Sequence, residues 1–516
     1  MFMWGRLSEE LRETAQRRVL EHERYRQVIR DENNRRRRRT TAPLLELDVQ
    51  LPETWKMDTG YDPFHVRARH RSIAYSVTQE LRNGSYRPAR PAGFEIAKAS
   101  GGTRIISQFR VVDEVISLRL FRSLMDKNRS LLSARAYAYR HDLSPHDALA
   151  HISREFAREQ RVFVAEYDFS KFFDTISHDY LRSAIDALGL RVTPLERRLI
   201  DAFLSVPKPY LTPAEKGAAV DPRVVGIPQG TSLSLFLANV AAAELDRSLE
   251  RLGVGFVRYA DDTLIWSHTY SEISEAVDAL HAASAGIGSE INLEKSSGVR
   301  LLLPQGTGKA EMSYTHSVPY LGHDIGLRRL SMKSTAVERL KTRINELIFA
   351  NLLREPLRGT QSFARLSGTN DKDYVTYVWQ LRRYLYGSLS ENQVRRFQHG
   401  AIPGMSFEGA MSYFPLVDDD AQLAEIDAWI ASQAWLAVRK RERLLKPRLK
   451  RSIQPWGLSK EELIGLTVTS ATSHDPVDLR MPSVRRISRA IRQGVEAHGL
   501  RVVRNLQDPY LYQESH

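Results

Sequence analysis

The sequence predicts an α+β fold that is followed by a mostly α-helical C-terminal domain. Up to about residue 330, short apolar runs of strand type alternate with amphipathic helical patterns, and the strand runs end in tight turns. Beyond residue 330 the patterns are almost entirely helical. The length of 516 residues is enough for two or three domains. We expect a basic extension over residues 1–60, a mixed core over 61–330 and a helical domain over 331–516.

The composition indicates a basic protein without cysteine. The formal net charge is +13, and the isoelectric point is near 9.7. Basic surface gains free energy by releasing counterions from phosphates, so nucleic acid is the expected partner; a basic protein without such a partner is the alternative. The lack of cysteine excludes disulfides, thiolate zinc sites and iron–sulfur clusters. Without a signal core or a bilayer-spanning run, we expect a cytoplasmic protein that does not contact membranes.

The N-terminal region is highly charged. The segment 7–33 has few strong apolar positions and is followed closely by five arginines, Arg35 to Arg39. Such a run is typical of a solvated or disordered arm, and beside a nucleic-acid site it would bind phosphates. Residues 43–63 are predicted to be a loop, and His65 to Arg82 have helical spacing.

A hairpin and a helix follow. Residues 94–106 form two strand-like runs around Gly101 and Gly102, with Lys98 and Arg104 on either side of the turn. The apolar spacing from Asp113 to Lys127 predicts an amphipathic helix.

The next segments lead to a first candidate site residue. Residues 161–169 read as a strand, and period-two alternation puts Asp168 at its C-terminal end. Helices are predicted over 179–188 and 194–204. The Gly/Pro loop 226–230 then opens a helix over 232–252.

An acidic hairpin follows that helix. Residues 256–266 consist of two strand-like runs joined by Ala260, Asp261 and Asp262. Adjacent carboxylates repel each other, so a fold that holds them rigidly usually supplies a cation, and hard oxygen ligands suit Mg²⁺ or Mn²⁺. A solvated acidic turn is the alternative. If the strand that ends at Asp168 is a neighbour, the three acids converge in an arrangement suited to two-metal phosphoryl transfer.

The remaining sequence is predicted to be helical, with a second basic cluster. The run from Arg439 to Arg451 is interpreted as either a solvated helix end or a grip on nucleic acid. The predicted helices cover residues 271–285, 337–353, 374–386, 423–445 and 481–506.

Seven sequence blocks, taken in order, resemble the reverse transcriptases. The resemblance spans about residues 94–326 and implies a right-hand polymerase core of fingers and palm with an antiparallel palm sheet. The blocks are the hairpin Phe94–Ile106, Ala136–Leu149, Asp168–His178, Gly226–Asn239, Tyr259–Asp262, Ile291–Ser296 and Pro319–Gly326.

The resemblance implies roles for four residues of the catalytic centre. Asp168 and Asp261 would be metal ligands for Mg²⁺ or Mn²⁺, with Asp262 beside them as a third acid of the cluster. Lys295 matches the lysine that can protonate pyrophosphate, although it could equally be an ordinary surface lysine.

It also implies a nucleotide pocket. Phe173 matches the steric gate that excludes a ribose 2′-hydroxyl, with core packing beside Phe172 as the alternative. Gln229 would contact the incoming nucleotide, and Lys98 and Arg104 match the finger residues that hold the triphosphate.

Two further elements follow from the same comparison. Tyr320, Leu321 and Gly322 resemble the primer grip. Tyr510 and Tyr512 are candidates for protein priming, in which DNA synthesis starts on a side-chain hydroxyl; their alternative role is packing near the chain end.

The helical C-terminal third resembles the architecture of defence-associated bacterial reverse transcriptases of the abortive-infection and unknown groups. This implies antiphage defence through DNA synthesis from dNTPs, on a dedicated noncoding RNA or without a template, in a homo-oligomer. The alternatives are an intron-type or retron-type enzyme of mobility or repair, and a noncatalytic, maturase-like RNA-binding protein. Three mutually repelling acids argue against a pure binder.

Overall fold

The computed structural model describes residues 4–45, 50–97, 103–140, 142–294, 296–449, 451–469 and 476–504. The chain forms two compact units. The first comprises residues 1–26, 48–148 and 161–315, and the second comprises 27–47, 149–160 and 316–516. The predicted three-part division stays a prediction.

The elements that precede the main sheet are mostly helical, apart from one antiparallel hairpin. In that hairpin Ala97 pairs with Thr103, which confirms the predicted strands; the turn itself lies outside the described residues. The elements are α1 (Trp4–Arg39), α2 (Glu53–Met57), α3 (Pro63–Asn83), β1 (Ala92–Ala97), β2 (Thr103–Gln108), α4 (Val111–Asn128) and α5 (Pro145–Phe156).

A five-stranded sheet organises the first unit. Its strand order is β4-β5-β3-β6-β7, and every pairing is antiparallel except the parallel pair β6–β7. The central strand β3 is almost entirely buried, which fits its apolar sequence. The elements are β3 (Val162–Tyr167), α6 (Phe172–Thr175), α7 (His178–Ala187), α8 (Pro194–Leu204), α9 (Ser232–Leu252), β4 (Gly255–Tyr259), β5 (Asp262–Ser267), α10 (Tyr270–Ile287), β6 (Gly298–Leu302) and β7 (Tyr314–Thr315).

The second unit is mainly helical around its own apolar core. A three-stranded antiparallel sheet of order β10-β9-β8 precedes the helices, and β11 and β12 form a small hairpin. The elements are β8 (Val318–Tyr320), β9 (His323–Ile325), β10 (Leu330–Met332), α11 (Ser334–Ile348), α12 (Arg354–Arg358), α13 (Lys372–Tyr386), α14 (Glu391–Gln398), α15 (Asp420–Leu449), α16 (Lys460–Ile464), β11 (Thr467–Thr469), β12 (Pro476–Asp478) and α17 (Val484–His498).

The α+β fold with a helical C-terminal region is therefore confirmed, and capping residues explain why some boundaries were predictable. Thr193 and Glu196 form a capping box at the start of α8. Thr231 caps α9, and Gly253 ends it in the left-handed conformation. Both helices have the predicted bounds.

The interpretation of the arginine run as a disordered or fully solvated arm is wrong. Helix α1 continues through it to Arg39. Arg35 donates to the buried carboxylates of Glu32, at 2.7 Å, and Glu355, at 3.2 Å. Arg39 donates to Asn351 at 2.9 Å. Arg37 and Arg38 remain exposed.

Two other expectations need correction. The predicted loop over 43–63 contains α2, which starts directly after Pro52, a residue compatible with a helix start. The helix predicted over 337–353 ends at Ile348 and continues as a π-helical turn, Phe349–Leu353. In this turn Asn351 donates to the Leu347 carbonyl and to Gln380.

Among the described helices, none is both long enough and apolar enough to cross a bilayer.

Candidate active site

Strand pairing brings the two acidic segments together. Tyr167, the last residue of β3, pairs with Thr263 in β5. Continued by one residue, this register would set Asp168 across from Asp262, the first residue of β5. Cα atoms of opposed residues in antiparallel strands are about 4.5–5.5 Å apart. Both aspartates are half-buried and retain access to solvent at the end of the sheet.

Asp261 lies in the tight turn that joins β4 to β5. The turn is closed by the pair Tyr259 and Asp262, and only Ala260 and Asp261 connect the strands. Ala260 has φ of 62°, a left-handed conformation that costs a residue with a Cβ about 1 kcal/mol or more. Burial raises the pKa of the Tyr259 hydroxyl, so this residue stays neutral beside the acids. The turn therefore places Asp261 directly before Asp262, at the start of β5.

The carboxylates are of the chemical type that binds Mg²⁺ or Mn²⁺. Among the described residues, however, no three His, Cys, Asp or Glu side chains are grouped closely enough to hold a metal ion. Mg²⁺ typically takes one or two protein carboxylates and completes its shell with water and substrate phosphates. Carboxylates at the same end of the sheet fit that mode of binding. The assignment of Asp168, Asp261 and Asp262 as one three-residue metal set stays a prediction.

The loop between α10 and β6 forms hydrogen bonds with the backbone of Asp168. The Asn292 N–H donates to the Asp168 carbonyl at 2.8 Å, and the Asp168 N–H donates to Ser296 Oγ at 3.4 Å. Phe169 and Ile291 form an isolated antiparallel bridge. The backbone of Asp168 is thus fixed by the segment that carries Lys295. Lys295 itself lies outside the described residues.

Phe172 and Phe173, the pair that contains the predicted steric gate, differ in burial. Phe172 is buried and contacts Phe169, with ring centroids 5.2 Å apart. Phe173 packs edge-on against Phe172 at 6.0 Å but is only half-buried. Both belong to α6, which begins four residues after Asp168. Phe172 supplies core packing. Phe173 retains an accessible ring surface and lies five residues after Asp168 in the sequence.

The loop that carries Gln229 is held between two neighbours. Gln229 Nε2 donates to Asp174 at 3.1 Å, and the Ser107 N–H in β2 donates to the Gln229 carbonyl at 3.3 Å. A Cβ on Gly226 would collide with the Asp174 carbonyl, and one on Gly230 would collide with the Ser107 carbonyl. Both glycines also have positive φ, 81° and 114°. Glycine is therefore required on both sides of Gln229.

A histidine supports the same loop. The ring Nε2 of His178, at the start of α7, lies 2.7 Å from the Gly226 carbonyl. Burial lowers the pKa of His178, so the ring is neutral near pH 7 and donates this bond from its Nε2–H. The sequence analysis did not identify His178, whose position beside a buried carbonyl depends on tertiary structure.

The other predicted site residues lie in the β1–β2 hairpin, at the β8–β9 turn and near the C-terminus. Arg104 lies in β2, and its backbone pairs with Ile96, but its side chain lies outside the described set, as does all of Lys98. Tyr320 and the turn residues Leu321 and Gly322 join β8 to β9 in the second unit. Leu321 and Gly322 both have positive φ. Tyr510 and Tyr512 also lie outside the described residues.

The chain matches a family model over the region that contains this geometry. The model is that of reverse transcriptase (RNA-dependent DNA polymerase), and the match covers residues 96–325. A curated relative is the putative COX1/OXI3 intron 1 protein of Saccharomyces cerevisiae, which is 26% identical over 182 residues. That match covers 34% of this chain and spans only 20% of the yeast protein.

Solved structures with detectable similarity include telomerases. Apo telomerase of Candida tropicalis, truncated from its C-terminal domain, gives a TM-score of 0.37 at 13% identity, covering 50% of this chain and 59% of that one. Telomerase of Candida albicans in complex with a fragment of telomeric RNA gives 0.36 at 12% identity, covering 75% and 67%. The match to the family model, in contrast, is based on the sequence itself. Residues 96–325 match the model of the reverse transcriptase domain, the domain type of RNA-directed DNA polymerases, which are nucleotidyltransferases.

Proposed function

We propose that this protein is an RNA-directed DNA polymerase that transfers deoxynucleotides from dNTPs to a 3′-hydroxyl. The observation that carries the proposal is the β3–β5 register, which ends at the pair Tyr167–Thr263 and so brings the neighbouring residues Asp168 and Asp262 to the same end of the sheet. Asp261 in the adjoining turn adds a third acid. The match of residues 96–325 to the reverse transcriptase model supports the same chemistry.

Asp168 and Asp261 would hold divalent cations, with Asp262 beside them. Such cations, when bound, lower the pKa of the attacking hydroxyl and neutralise charge on the leaving pyrophosphate. The chain's own contribution is rigid placement of the acids. It comes from the Asn292 and Ser296 bonds to the Asp168 backbone and from the tight turn at Ala260.

The surrounding residues would bind and orient the nucleotide. The half-buried Phe173 ring would exclude a 2′-hydroxyl, and Gln229 would contact the nucleotide from a loop that two glycines let approach closely. Lys98 and Arg104 would bind the triphosphate, and Lys295 would protonate pyrophosphate. Tyr320 to Gly322 would act as the primer grip.

The nucleic-acid partners would be an RNA template and the DNA product. The net charge of +13 favours a polyanion. In α15, Arg439, Lys440 and Arg443 are exposed and available for phosphates, whereas Arg441 is buried between the carboxylates of Asp371 and Asp373. Arg441 thus has a structural role, and we assign nucleic-acid contact to the exposed residues Arg439, Lys440 and Arg443 of the basic cluster.

Two biological settings are candidates. The first is a cytoplasmic, homo-oligomeric enzyme of antiphage defence that copies a dedicated noncoding RNA or polymerises without a template; the extended helical second unit supports it. The second is an intron-type enzyme of mobility, which the similarity to an intron-encoded yeast protein favours. Sequencing the nucleic acid that copurifies distinguishes them: one abundant noncoding RNA with its DNA copy supports the first, and a flanking intron supports the second.

Primer extension on a primed RNA with dNTPs and Mg²⁺ tests the catalytic proposal. The comparison is wild type against the double variant Asp261→Ala with Asp262→Ala, and Glu275→Ala on the exposed face of α10 serves as the control. We expect the double variant to lose at least about 100-fold in rate and the control to match wild type. A wild-type protein that incorporates nothing on any primer, including its own copurified RNA, would favour a noncatalytic RNA-binding role.

Protein priming needs a separate measurement. Purified protein is digested with nuclease and analysed by mass spectrometry. A nucleotide adduct on Tyr510 or Tyr512 would establish priming on a side chain, and unmodified tyrosines would exclude it for that preparation.

A further inference from the structure

A buried positive charge lies directly before the acidic turn. Arg258 in β4 exposes 1% of its side chain, and its partner Asp246 in α9 exposes 2%. Arg258 Nε donates to one Asp246 oxygen at 2.7 Å, and Nη2 donates to the other at 2.6 Å. A two-point contact of this kind fixes both the plane and the rotation of the guanidinium group.

The third guanidinium nitrogen reaches the turn itself. Arg258 Nη1 donates to the Ala260 carbonyl at 2.9 Å and to Asn239 Oδ1 at 3.2 Å. The Ala260 carbonyl belongs to the peptide group that joins Ala260 to Asp261. Its orientation therefore sets the direction in which the backbone enters Asp261, the predicted metal ligand.

The hydrogen bond also counteracts an unfavourable backbone conformation. Ala260 has φ of 62°, which its Cβ disfavours, so the turn needs support to persist in this conformation. Support comes from Arg258, which Asp246 in turn holds in place. The whole group is buried, so water does not compete for these bonds.

Other contacts hold the backbone of Arg258 and the Asn239 side chain. The Arg258 N–H donates to the Arg135 carbonyl at 3.0 Å, and the Tyr137 N–H donates to the Arg258 carbonyl at 2.9 Å. Asn239 Nδ2 donates to the Ala138 carbonyl at 3.0 Å. Residues 135–138 thus hold the backbone of Arg258 and the Asn239 side chain, while helix α9 and the turn hold the guanidinium group.

A buried ion pair adds little net stability, because desolvation offsets most of the attraction, but it can enforce one geometry. We infer that Arg258 is a positioning residue for the catalytic acids, acting through the Ala260 peptide, with Asp246 and Asn239 holding its side chain. This inference rests on the proposed polymerase function. It assigns a role in the site to residues that do not touch substrate.

The test compares wild type with Arg258→Lys, which keeps the positive charge but cannot contact Asp246 at two points and Ala260 together. Mn²⁺ binding is measured by electron paramagnetic resonance, and nucleotide incorporation is measured in a single turnover. We expect the variant to lose at least about tenfold in Mn²⁺ affinity or in the single-turnover rate, while its affinity for primed RNA stays within twofold of wild type.

Arg441→Lys is the matched control. Arg441 is equally buried and also contacts two carboxylates, but its partners Asp371 and Asp373 belong to the second unit. This variant is expected to lower the melting temperature and to leave Mn²⁺ affinity and the rate per folded molecule unchanged. If Arg258→Lys does not fold, Asp246→Glu replaces it, because the longer side chain displaces the carboxylate while keeping its charge.

The outcomes distinguish the positioning role of Arg258 from the proposed polymerase function. Wild-type Mn²⁺ affinity and rate in the folded Arg258→Lys variant would overturn the positioning role. If wild type binds Mn²⁺ without incorporating nucleotides, the proposed polymerase function is wrong. The positioning role of Arg258 is then tested by the Mn²⁺ affinity of Arg258→Lys alone. Equal Mn²⁺ binding by wild type and by Asp261→Asn with Asp262→Asn would show that the acids hold no metal, and this also overturns the inference.

Discussion

At the scale of single residues, Phe172 and Phe173 show how adjacent identical side chains acquire different roles. Phe172 packs in the core, and Phe173 is only partly buried. The sequence offered both packing and a steric gate for Phe173. Phe173 also packs against the core but is only partly buried, and on that ground we propose the gate for it.

Replacing Phe173 with valine is expected to relax sugar selectivity. The smaller side chain removes the proposed clash with a 2′-hydroxyl, so the preference for dNTPs over rNTPs should fall at least about tenfold, equivalent to about 1.4 kcal/mol. Competing incorporation of dNTP and rNTP in primer extension measures this ratio. Phe172→Leu, a change in the core, is the control and should lower stability without changing the ratio. Unchanged selectivity in Phe173→Val would contradict the gate.

Asp113 predicts a pH dependence of stability. It is buried in α4, where it accepts hydrogen bonds from the Tyr86 hydroxyl at 2.6 Å and the Ala89 N–H at 3.2 Å. Burial outweighs these bonds and raises the pKa of Asp113 to about 6, from 3.8. The folded state therefore binds a proton more tightly than the unfolded state does. The resulting stability is fully present below about pH 4 and is lost as pH rises through about 6.

Asp113→Asn should remove this contribution. Over the window from about pH 4 to 6, wild type should lose up to about 3 kcal/mol relative to the variant, since two pKa units correspond to that free energy. Thermal unfolding of both proteins at several pH values in this window measures the difference. Parallel pH profiles would show that Asp113 does not titrate there.

At the scale of elements, Asp427 links two helices of the second unit. It lies in α15 and accepts hydrogen bonds at the N-terminus of α17, from Ser483 Oγ at 2.5 Å and from the Val484 and Arg485 N–H groups at 2.6 and 3.3 Å. These N–H groups have no partner inside the helix. A carboxylate at this end also interacts favourably with the helix dipole, although burial raises its pKa.

Asp427→Ala is expected to destabilise the second unit by about 1–3 kcal/mol, because it leaves buried donors unsatisfied. Hydrogen–deuterium exchange should show faster exchange in the first turn of α17. Asp427→Asn keeps one acceptor oxygen and should lose less. Equal exchange in all three proteins would mean that Ser483 alone caps the helix.

Elements were predictable where their boundaries are encoded locally. Thr193 and Glu196 mark the start of α8, and Gly253 marks the end of α9. The arginine run was misinterpreted because its partner Glu355 lies 320 residues from Arg35. A run of like charges suggests solvent exposure only when no distant carboxylate is known.

At the scale of the whole molecule, the positive charge predicts salt-dependent binding. If four phosphates of a single strand are contacted, affinity should fall roughly 50-fold between 50 and 200 mM salt. Fluorescence anisotropy with labelled RNA measures this. Alanine at Arg439, Lys440 and Arg443 together should reduce the slope of the log–log plot by about 2, whereas Arg251→Ala on α9 should leave it unchanged. A triple variant with the wild-type slope would place the contacts elsewhere.

The candidate site was also only partly predictable, because several of its contacts join residues that are distant in the sequence. Asp168, Asp261 and Asp262 could be found because each lies at the end of an apolar strand pattern. The register that brings Asp168 and Asp262 to the same end of the sheet joins strands about 90 residues apart and needed the structure. Arg258 gave no signal, because its partners come from α9 and from the turn carbonyl.

The docking of α1 has a consequence for synthesis. Thr40, next to the arginine run, donates to Glu355, which is translated 315 residues later. At roughly 5–20 residues per second, a ribosome needs about 15–60 s to make that partner. During this interval Arg35 to Arg39 lack Glu355, and cellular RNA is a competing counterion. The C-terminal half of α1 is therefore among the last parts of its unit to reach native contacts, although it is made hundreds of residues earlier.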